Sequence, residues 1–268
     1  MMKLVRACLN RFPRIKGVLR RLLSWLPGRA SVSSNFIQLS SGEIEGETLR
    51  LRGSWQADEL PAKQRELVDR QLAQYRAGHA IEVFDVLVDA LKRLRDFEQL
   101  RTVLEIGCSS GFYSEVFSIA KLPVSYVGCD YSPAFVDLAR KTYPHLQFDV
   151  EDAAALNYPD ESFDVVVSGC CLLHIPEYEA TIAETARVAK SYAIFHRTPV
   201  LPDHPTMHFR KLAYGVETVE IHFGERELLN LFLKHGLNVI DTRTMDKDVR
   251  QGVMTAVRTY VCSKTVAE

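Results

Sequence analysis

The first 42 residues contain no Asp or Glu; the first acidic residue is Glu43. Elsewhere the chain lacks several signatures. There is no C-x-x-C pair among its 6 cysteines, and Cys170 and Cys171 are adjacent, so neither a zinc site nor a disulfide framework is indicated. The cysteines fall largely in apolar runs that read as buried strands, which suits free thiols in a reducing compartment. No apolar run approaches the roughly 18–20 residues of a membrane span. Internal repeats and low-complexity tracts are absent. A formal net charge of −1 carries no global signal for nucleic acid, and 47% hydrophobic with 25% charged residues is the balance of an ordinary globular chain.

What replaces acid at the amino terminus is base. Lys3, Arg6, Arg11, Arg14, Lys16, Arg20, Arg21 and Arg29 occupy residues 1–30. Residues 3–26 read as an amphipathic helix: Leu4, Val5, Cys8, Phe12, Ile15, Leu19, Leu22, Leu23 and Leu26 share one face, and Pro13 kinks or splits it. Three readings stay open. The helix lies on an anionic membrane surface as a peripheral contact, is a transit peptide running into the serines of 31–34, or packs on the rest of the chain. The expected location is accordingly cytoplasmic, with membrane-peripheral and organellar alternatives.

Residues 31–60 read as irregular. Helices are expected from Pro61 to about Ala77 and over 79–97, together forming a helical extension over 31–100. From residue 101 short apolar runs alternate with amphipathic helices, the pattern of a parallel sheet covered on both faces. Strands are expected at 102–106, 125–129, 147–150, 164–168, 192–196, 237–242 and 258–262. Helices are expected near 112–121, 132–142, 177–189 and 225–235. The last two strands have no helix between them and should pair antiparallel. The expectation is an α/β domain over 101–268 with a seven-stranded, mostly parallel sheet.

The first strand runs through Val103, Leu104, Glu105 and Ile106 into Gly107-Cys108-Ser109-Ser110-Gly111 and a helix. Gly107 and Gly111 let backbone approach a ligand at the carboxyl end of the strand. The next strand ends in Asp130, where a carboxylate can accept hydrogen bonds from two ribose hydroxyls. A dinucleotide fingerprint would need glycine where Ser109 and Phe112 stand. The alternative, acid-x-G-x-x-x-G, is met by Glu105, Gly107 and Gly111. This run resembles the first motif of class I S-adenosylmethionine-dependent methyltransferases of the small-molecule type. Gly-Cys-Asp-Tyr-Ser-Pro at 128–133, with the helix over 135–141, is similar to their second. Glu151-Asp152-Ala153, the strand after Phe163, and the segment Ser168–Ile175 follow in the family's order, so the resemblance covers roughly residues 100–262. One departure is Ser109, where many members have glycine.

The resemblance implies S-adenosylmethionine as cofactor, contacted by Glu105, Gly107, Cys108, Gly111, Asp130, Tyr131, Asp152, Ala153 and Ser168. In the family an acid at the position of Asp152 meets the adenine amino group. For Glu105 the competing role is bonding to its own loop, and for Asp130 and Asp152 it is helix capping. Because the sulfonium is already activated, the protein supplies positioning and, for a hydroxyl acceptor, a base. His174 stands where the family opens toward substrate, as base or as a pocket wall. Residues 197–223 are long for a connection and read as a substrate lid carrying His204, His208, His222, Arg210 and Tyr214. His196 and Arg197 leave the strand end directly and are the better-placed catalytic pair. A metal site from His204 and His208 is a minor alternative.

Nothing here resembles the motifs of DNA methylation: Ser-Gly-Cys-Cys stands where amino-methylating enzymes carry Asp/Asn-Pro-Pro-aromatic, and no Pro-Cys dipeptide occurs. The expected function is methyl transfer to a small molecule, such as a sugar or lipid-linked intermediate, without DNA as partner. The alternatives are an RNA or protein substrate, or a non-catalytic cofactor-binding fold.

Overall fold

The computed structural model describes residues 36–250 and 252–265. The basic segment read as a helix over 3–26 lies outside the described residues.

The described residues begin with strand β1 (Ile37–Gln38) and helices α1 (Ser41–Leu51), α2 (Leu60–Arg76) and α3 (Glu82–Lys92). Then come β2 (Thr102–Ile106), α4 (Phe112–Ile119), β3 (Ser125–Asp130), α5 (Pro133–Thr142), β4 (Gln147–Val150) and β5 (Phe163–Gly169). The rest is α6 (Tyr178–Val188), β6 (Ala189–Leu201), β7 (Met207–Ala213), β8 (Val216–Gly224), α7 (Glu225–Lys234), β9 (Leu237–Arg250) and β10 (Val253–Lys264).

Strands β4, β3, β2, β5 and β6 lie side by side and parallel. β10 adds antiparallel to β6, and β9 antiparallel to β10. Alternation along the strands feeds two layers. Val103, Val165 and Ile194 face α2, α3 and α4 through Leu72, Phe84, Leu87 and Val116. Their neighbours point the other way, where Phe195 and Tyr260 pack with Ile182 of α6 and Phe232 of α7, while Leu104 and Val166 meet Val188. Two-sided burial explains why these strands read as continuous apolar runs. No helix among the described residues is long and apolar enough to cross a membrane.

The described sheet has ten strands, not seven. The additional three come from segments whose structure the sequence pattern concealed. The stretch expected as a lid, 197–223, is mostly strand. β6 continues to Leu201, and β7 and β8 form an antiparallel hairpin from Met207↔His222 to Ala213↔Val216. Its turn is Tyr214-Gly215, both with positive φ (51° and 92°), the backbone of a two-residue primed turn that matches strand twist. β8 joins β6 only through Val200 and Leu201, and β1 closes the edge on β7.

Residues 41–51, expected as irregular, are helical. Gly42 and Gly46 weaken the local signal. A capping box offsets this: the Ser40 backbone N–H donates to Glu43 Oε2 at 2.8 Å, and Leu51 is buried with Leu39 and Val219.

The chain moves from β2 outward to β3 and β4, then crosses back to β5 and β6. The switch point therefore lies between the carboxyl ends of β2 and β5, where open α/β sheets form their crevice. Gly111, at φ 71°, opens α4 there, and a Cβ on it would lie 2.5 Å from Phe148 Cε1. Gly111→Ala should therefore destabilise the fold by about 2–4 kcal/mol, from left-handed backbone plus overpacking. Urea unfolding measures this, and an unshifted midpoint would refute the packing described.

Candidate active site

The loop after β2 is held from two sides. Gly107 (φ 68°) sits so close to Cys171 that a Cβ would collide with that side chain. Ser109 takes a left-handed conformation (φ 53°) where the family commonly has glycine. Its N–H donates to Asp130 Oδ2 at 2.9 Å, and its hydroxyl meets Gln64 Oε1 of α2. The other oxygen of Asp130 accepts the Ser132 N–H at 3.0 Å. Burial raises the Asp130 pKa to about 6, against the pull of these backbone donors. A carboxylate offers about four lone-pair sites, so each oxygen has room for a ligand hydroxyl.

A cavity of about 340 Å³ opens at this point. Of the expected cofactor residues, Gly107, Asp130, Tyr131, Asp152 and Ala153 line it. Glu105, Cys108, Gly111 and Ser168 do not. Glu105 is 1% exposed and lies against Gly169, accepting a hydrogen bond from the Tyr126 hydroxyl; burial pushes its pKa well above the usual carboxylate range. Cys108 is buried beside Gly128. Ser168 Oγ lies 3.1 Å from Cys171 Sγ, beneath the cavity wall. Asp152 accepts the Ala154 N–H at 2.9 Å, so it closes its own turn while facing the cavity.

The expected catalytic residues divide. His174 lines the cavity, its Nδ1 3.1 Å from the Val219 carbonyl and its ring 4.6 Å from that of Trp55. The carbonyl can only accept, so Nδ1 carries the proton and Nε2 keeps a lone pair. Burial lowers the His174 pKa to about 4, with Glu220 opposing and Lys211 and Arg197 reinforcing the shift. Arg197 also lines the cavity. His196 does not, which corrects the expected pair. It is fully buried, with Nε2 2.9 Å from the Val83 carbonyl and Nδ1 2.8 Å from Thr259 Oγ1. Both nitrogens are committed to the scaffold: His196 faces α3 and β10, while the irregularity in the β6–β10 register at this point turns Arg197 to the cavity.

Of the would-be lid residues, Tyr214 reaches the cavity. Arg210 instead pairs with Glu47 of α1 at 3.2 Å, and His204 is exposed. Among the described residues no group of three His, Cys, Asp or Glu could hold a metal ion. Missing from the expectation were Trp55 and Gln64, from segments with no family motif, and the buried pair Lys211–Glu220 on β7 and β8. Glu220 Oε1 also accepts from His222 Nε2 at 2.9 Å. Although burial pushes Glu220 upward, His222 and Lys211 hold it well below the usual range, as a fixed anion.

His196 generates a stability prediction. Burial lowers its pKa to about 3, whereas an unfolded histidine titrates near 6.5. Below pH ~6.5 the unfolded chain binds a proton that the folded chain refuses, so this contribution is lost as pH falls. Asp130 and Glu105, shifted upward, act oppositely, so the comparison must be with a variant. Between pH 6.5 and 5, wild type should lose about 2 kcal/mol more than His196→Gln, at ~1.4 kcal/mol per proton per pH unit. Parallel urea titrations give the difference; equal losses would mean that His196 is not buried neutral.

Residues 104–196 match a family model described as a methyltransferase domain. Over 95 residues the chain is 35% identical to a phthiotriol/phenolphthiotriol dimycocerosates methyltransferase of Mycobacterium leprae, covering 34% of each chain. It is 28% identical to a probable S-adenosylmethionine-dependent methyltransferase of Mycolicibacterium smegmatis, over 59% of this chain and 65% of the relative. The chain thus spans between about a third and two thirds of the length of these curated relatives. Among solved structures it is similar in fold to a Burkholderia thailandensis 1,6-didemethyltoxoflavin-N1-methyltransferase, with a TM-score of 0.52, 15% identity and coverage of 88% of this chain and 98% of that one. The domain match, the strand order and the glycine loop facing Asp130 identify residues 104–196 as a methyltransferase domain, similar to the class I S-adenosylmethionine-dependent methyltransferases.

Proposed function

We propose that the chain transfers a methyl group from S-adenosylmethionine to a small-molecule acceptor carrying a hydroxyl. The observation that carries this reading is one cavity lined both by Gly107, Asp130, Tyr131, Asp152 and Ala153 and by His174, whose Nε2 keeps a lone pair. Asp130 accepts the ribose hydroxyls, and Asp152 and Ala153 meet the adenine. The acceptor occupies the other end, between His174, Arg197 and Tyr214. His174 Nε2 takes the hydroxyl proton as the oxygen attacks the methyl carbon in line with the departing thioether. The Val219 carbonyl fixes the tautomer that this role requires.

Residues 36–100 serve as a cap. Arg52, Trp55 and Gln64 contribute to the cavity wall, and Trp55 Nε1 donates to Thr218 Oγ1 at 2.9 Å, tying the cap to β8. A concave cavity of this size, capped in part by these residues, suits a small molecule. A lipid-linked or sugar acceptor falls within this proposal, and the Mycobacterium leprae relative, named for phthiotriol and phenolphthiotriol dimycocerosates, gives a first class of acceptors to assay.

Two variants separate cofactor binding from chemistry. Asp130→Ala should weaken S-adenosylmethionine by on the order of 2 kcal/mol in calorimetry, since a charged acceptor for buried hydroxyls is lost. Unchanged affinity in a folded variant would reduce Asp130 to a loop clamp. His174→Gln should bind the cofactor normally while methyl transfer falls by about 10²–10⁴-fold. In wild type the rate governed by His174 should be flat from neutrality downward and fall only near pH 4, because the base form persists to that point. Labelled-methyl transfer to fractionated small molecules provides the assay; full activity in His174→Gln would exclude it as the base.

A further inference from the structure

We propose that Arg197 is an anion receptor: its guanidinium holds a carboxylate or phosphate group of the ligand in the cavity, placing an anionic group beside the transferring methyl. This rests on the methyltransferase reading above. Arg197 lines the cavity, yet no carboxylate of the described residues lies within ion-pair distance of it. Its electrostatic neighbours are the Cys170 thiol and the Tyr113 and Tyr214 phenols, ordinarily neutral groups. A largely buried cation facing a cavity without a counter-ion is costly, and charges in such places are normally paired.

The backbone supplies a second, independent observation. On β6 the pairs Phe195↔Tyr260 and Thr198↔Arg258 leave His196 and Arg197 opposite the single residue Thr259. This is a β-bulge, and Arg197 takes φ 60° within it. Without the bulge, alternation would keep a strand residue in the ladder; with it, the side chain is re-aimed. The facing residue at the end of β5, Cys170, is also left-handed (φ 68°), and its N–H donates to the His196 carbonyl at 2.9 Å. Left-handed backbone at two adjacent non-glycine residues concentrates at functional sites.

Charge is distributed accordingly. The nucleoside end of the cavity carries Asp130, Glu151 and Asp152. Elsewhere on its wall Lys211 pairs with Glu220 and Arg52 pairs with Glu177 at 3.0 Å, which leaves Arg197 as the lining guanidinium or ammonium without a carboxylate partner among the described residues. A planar guanidinium fork matches two anionic oxygens. The anion is either the amino-acid carboxylate of the methyl donor or an acidic group of the acceptor.

The test distinguishes these sources. S-adenosylhomocysteine and 5′-methylthioadenosine, which lacks the amino-acid tail, are titrated into the full chain, Arg197→Met and Arg197→Lys. A tail carboxylate on Arg197 makes Arg197→Met lose about tenfold or more in S-adenosylhomocysteine affinity. Arg197→Lys then recovers part of the loss, and methylthioadenosine binds all three alike. With an acceptor anion, both nucleosides are indifferent to the substitution. The labelled product formed from lysate small molecules is then retained on an anion exchanger, and Arg197→Met raises its KM by about tenfold or more with a smaller fall in kcat. Indifferent nucleosides together with a neutral product, or with an unchanged KM, overturn the proposal. Wild type binding neither nucleoside sinks the methyltransferase reading instead. In that case, or if no labelled product forms, phenylglyoxal labelling of Arg197 decides: inorganic phosphate slows it if the proposal holds and leaves it unchanged if it does not.

Discussion

The site depends on one carboxylate that ties two strand ends together. Asp130, the last residue of β3, accepts backbone N–H groups from Ser109 in the loop after β2 and from Ser132 at the start of α5. Those bonds hold the loop in a left-handed course that Ser109 would otherwise resist. Cys171 presses on Gly107 from the opposite side, so the end of β5 is located by the same loop. The glycine loop and the start of α5, which line one end of the cavity, are positioned by this contact.

The end of the cavity that holds His174 and Arg197 has a different origin. It is built where β6 stops pairing with β5 at His196 and begins pairing with β8 at Val200. The unpaired interval exposes Arg197 and Pro199 to the cavity. The β7–β8 hairpin brings Lys211, Tyr214 and Glu220 to the same space, and the Val219 carbonyl orients His174. Around Asp130 the wall is acidic, with Glu151 and Asp152, whereas Lys211 and Arg52 are each paired with a carboxylate and Arg197 is not.

That Gly107, Asp130, Tyr131, Asp152 and Ala153 share one cavity was legible in the sequence, because glycine spacing, a strand-terminal acid and parallel-strand periodicity are local features. The strand positions at the centre of the sheet were legible for the same reason. What the sequence concealed shares a physical cause. Glu105, Cys108 and Ser168 fall inside family motifs, but their side chains are buried outside the cavity lining, and a motif does not report side-chain direction. His196 and Arg197 are neighbours in sequence; only the bulge, a property of pairing with β10, decides which of them faces ligand. The hairpin was concealed by its many polar residues, although Tyr214-Gly215 is a recognisable turn signal. Trp55 and Gln64 lie in the amino-terminal extension, beyond any motif, and reach the site only through tertiary packing.

The central claim is that the cavity between β2, β3 and β5 is a nucleoside site with Asp130 on the ribose. A crystal structure or NMR footprint of the full chain with S-adenosylhomocysteine tests it most directly. The account predicts ligand between Gly107, Asp130 and Ala153, with both ribose hydroxyls donating to the Asp130 carboxylate and its bonds to Ser109 and Ser132 intact. Ligand bound elsewhere, or ribose hydroxyls out of reach of Asp130, would contradict it.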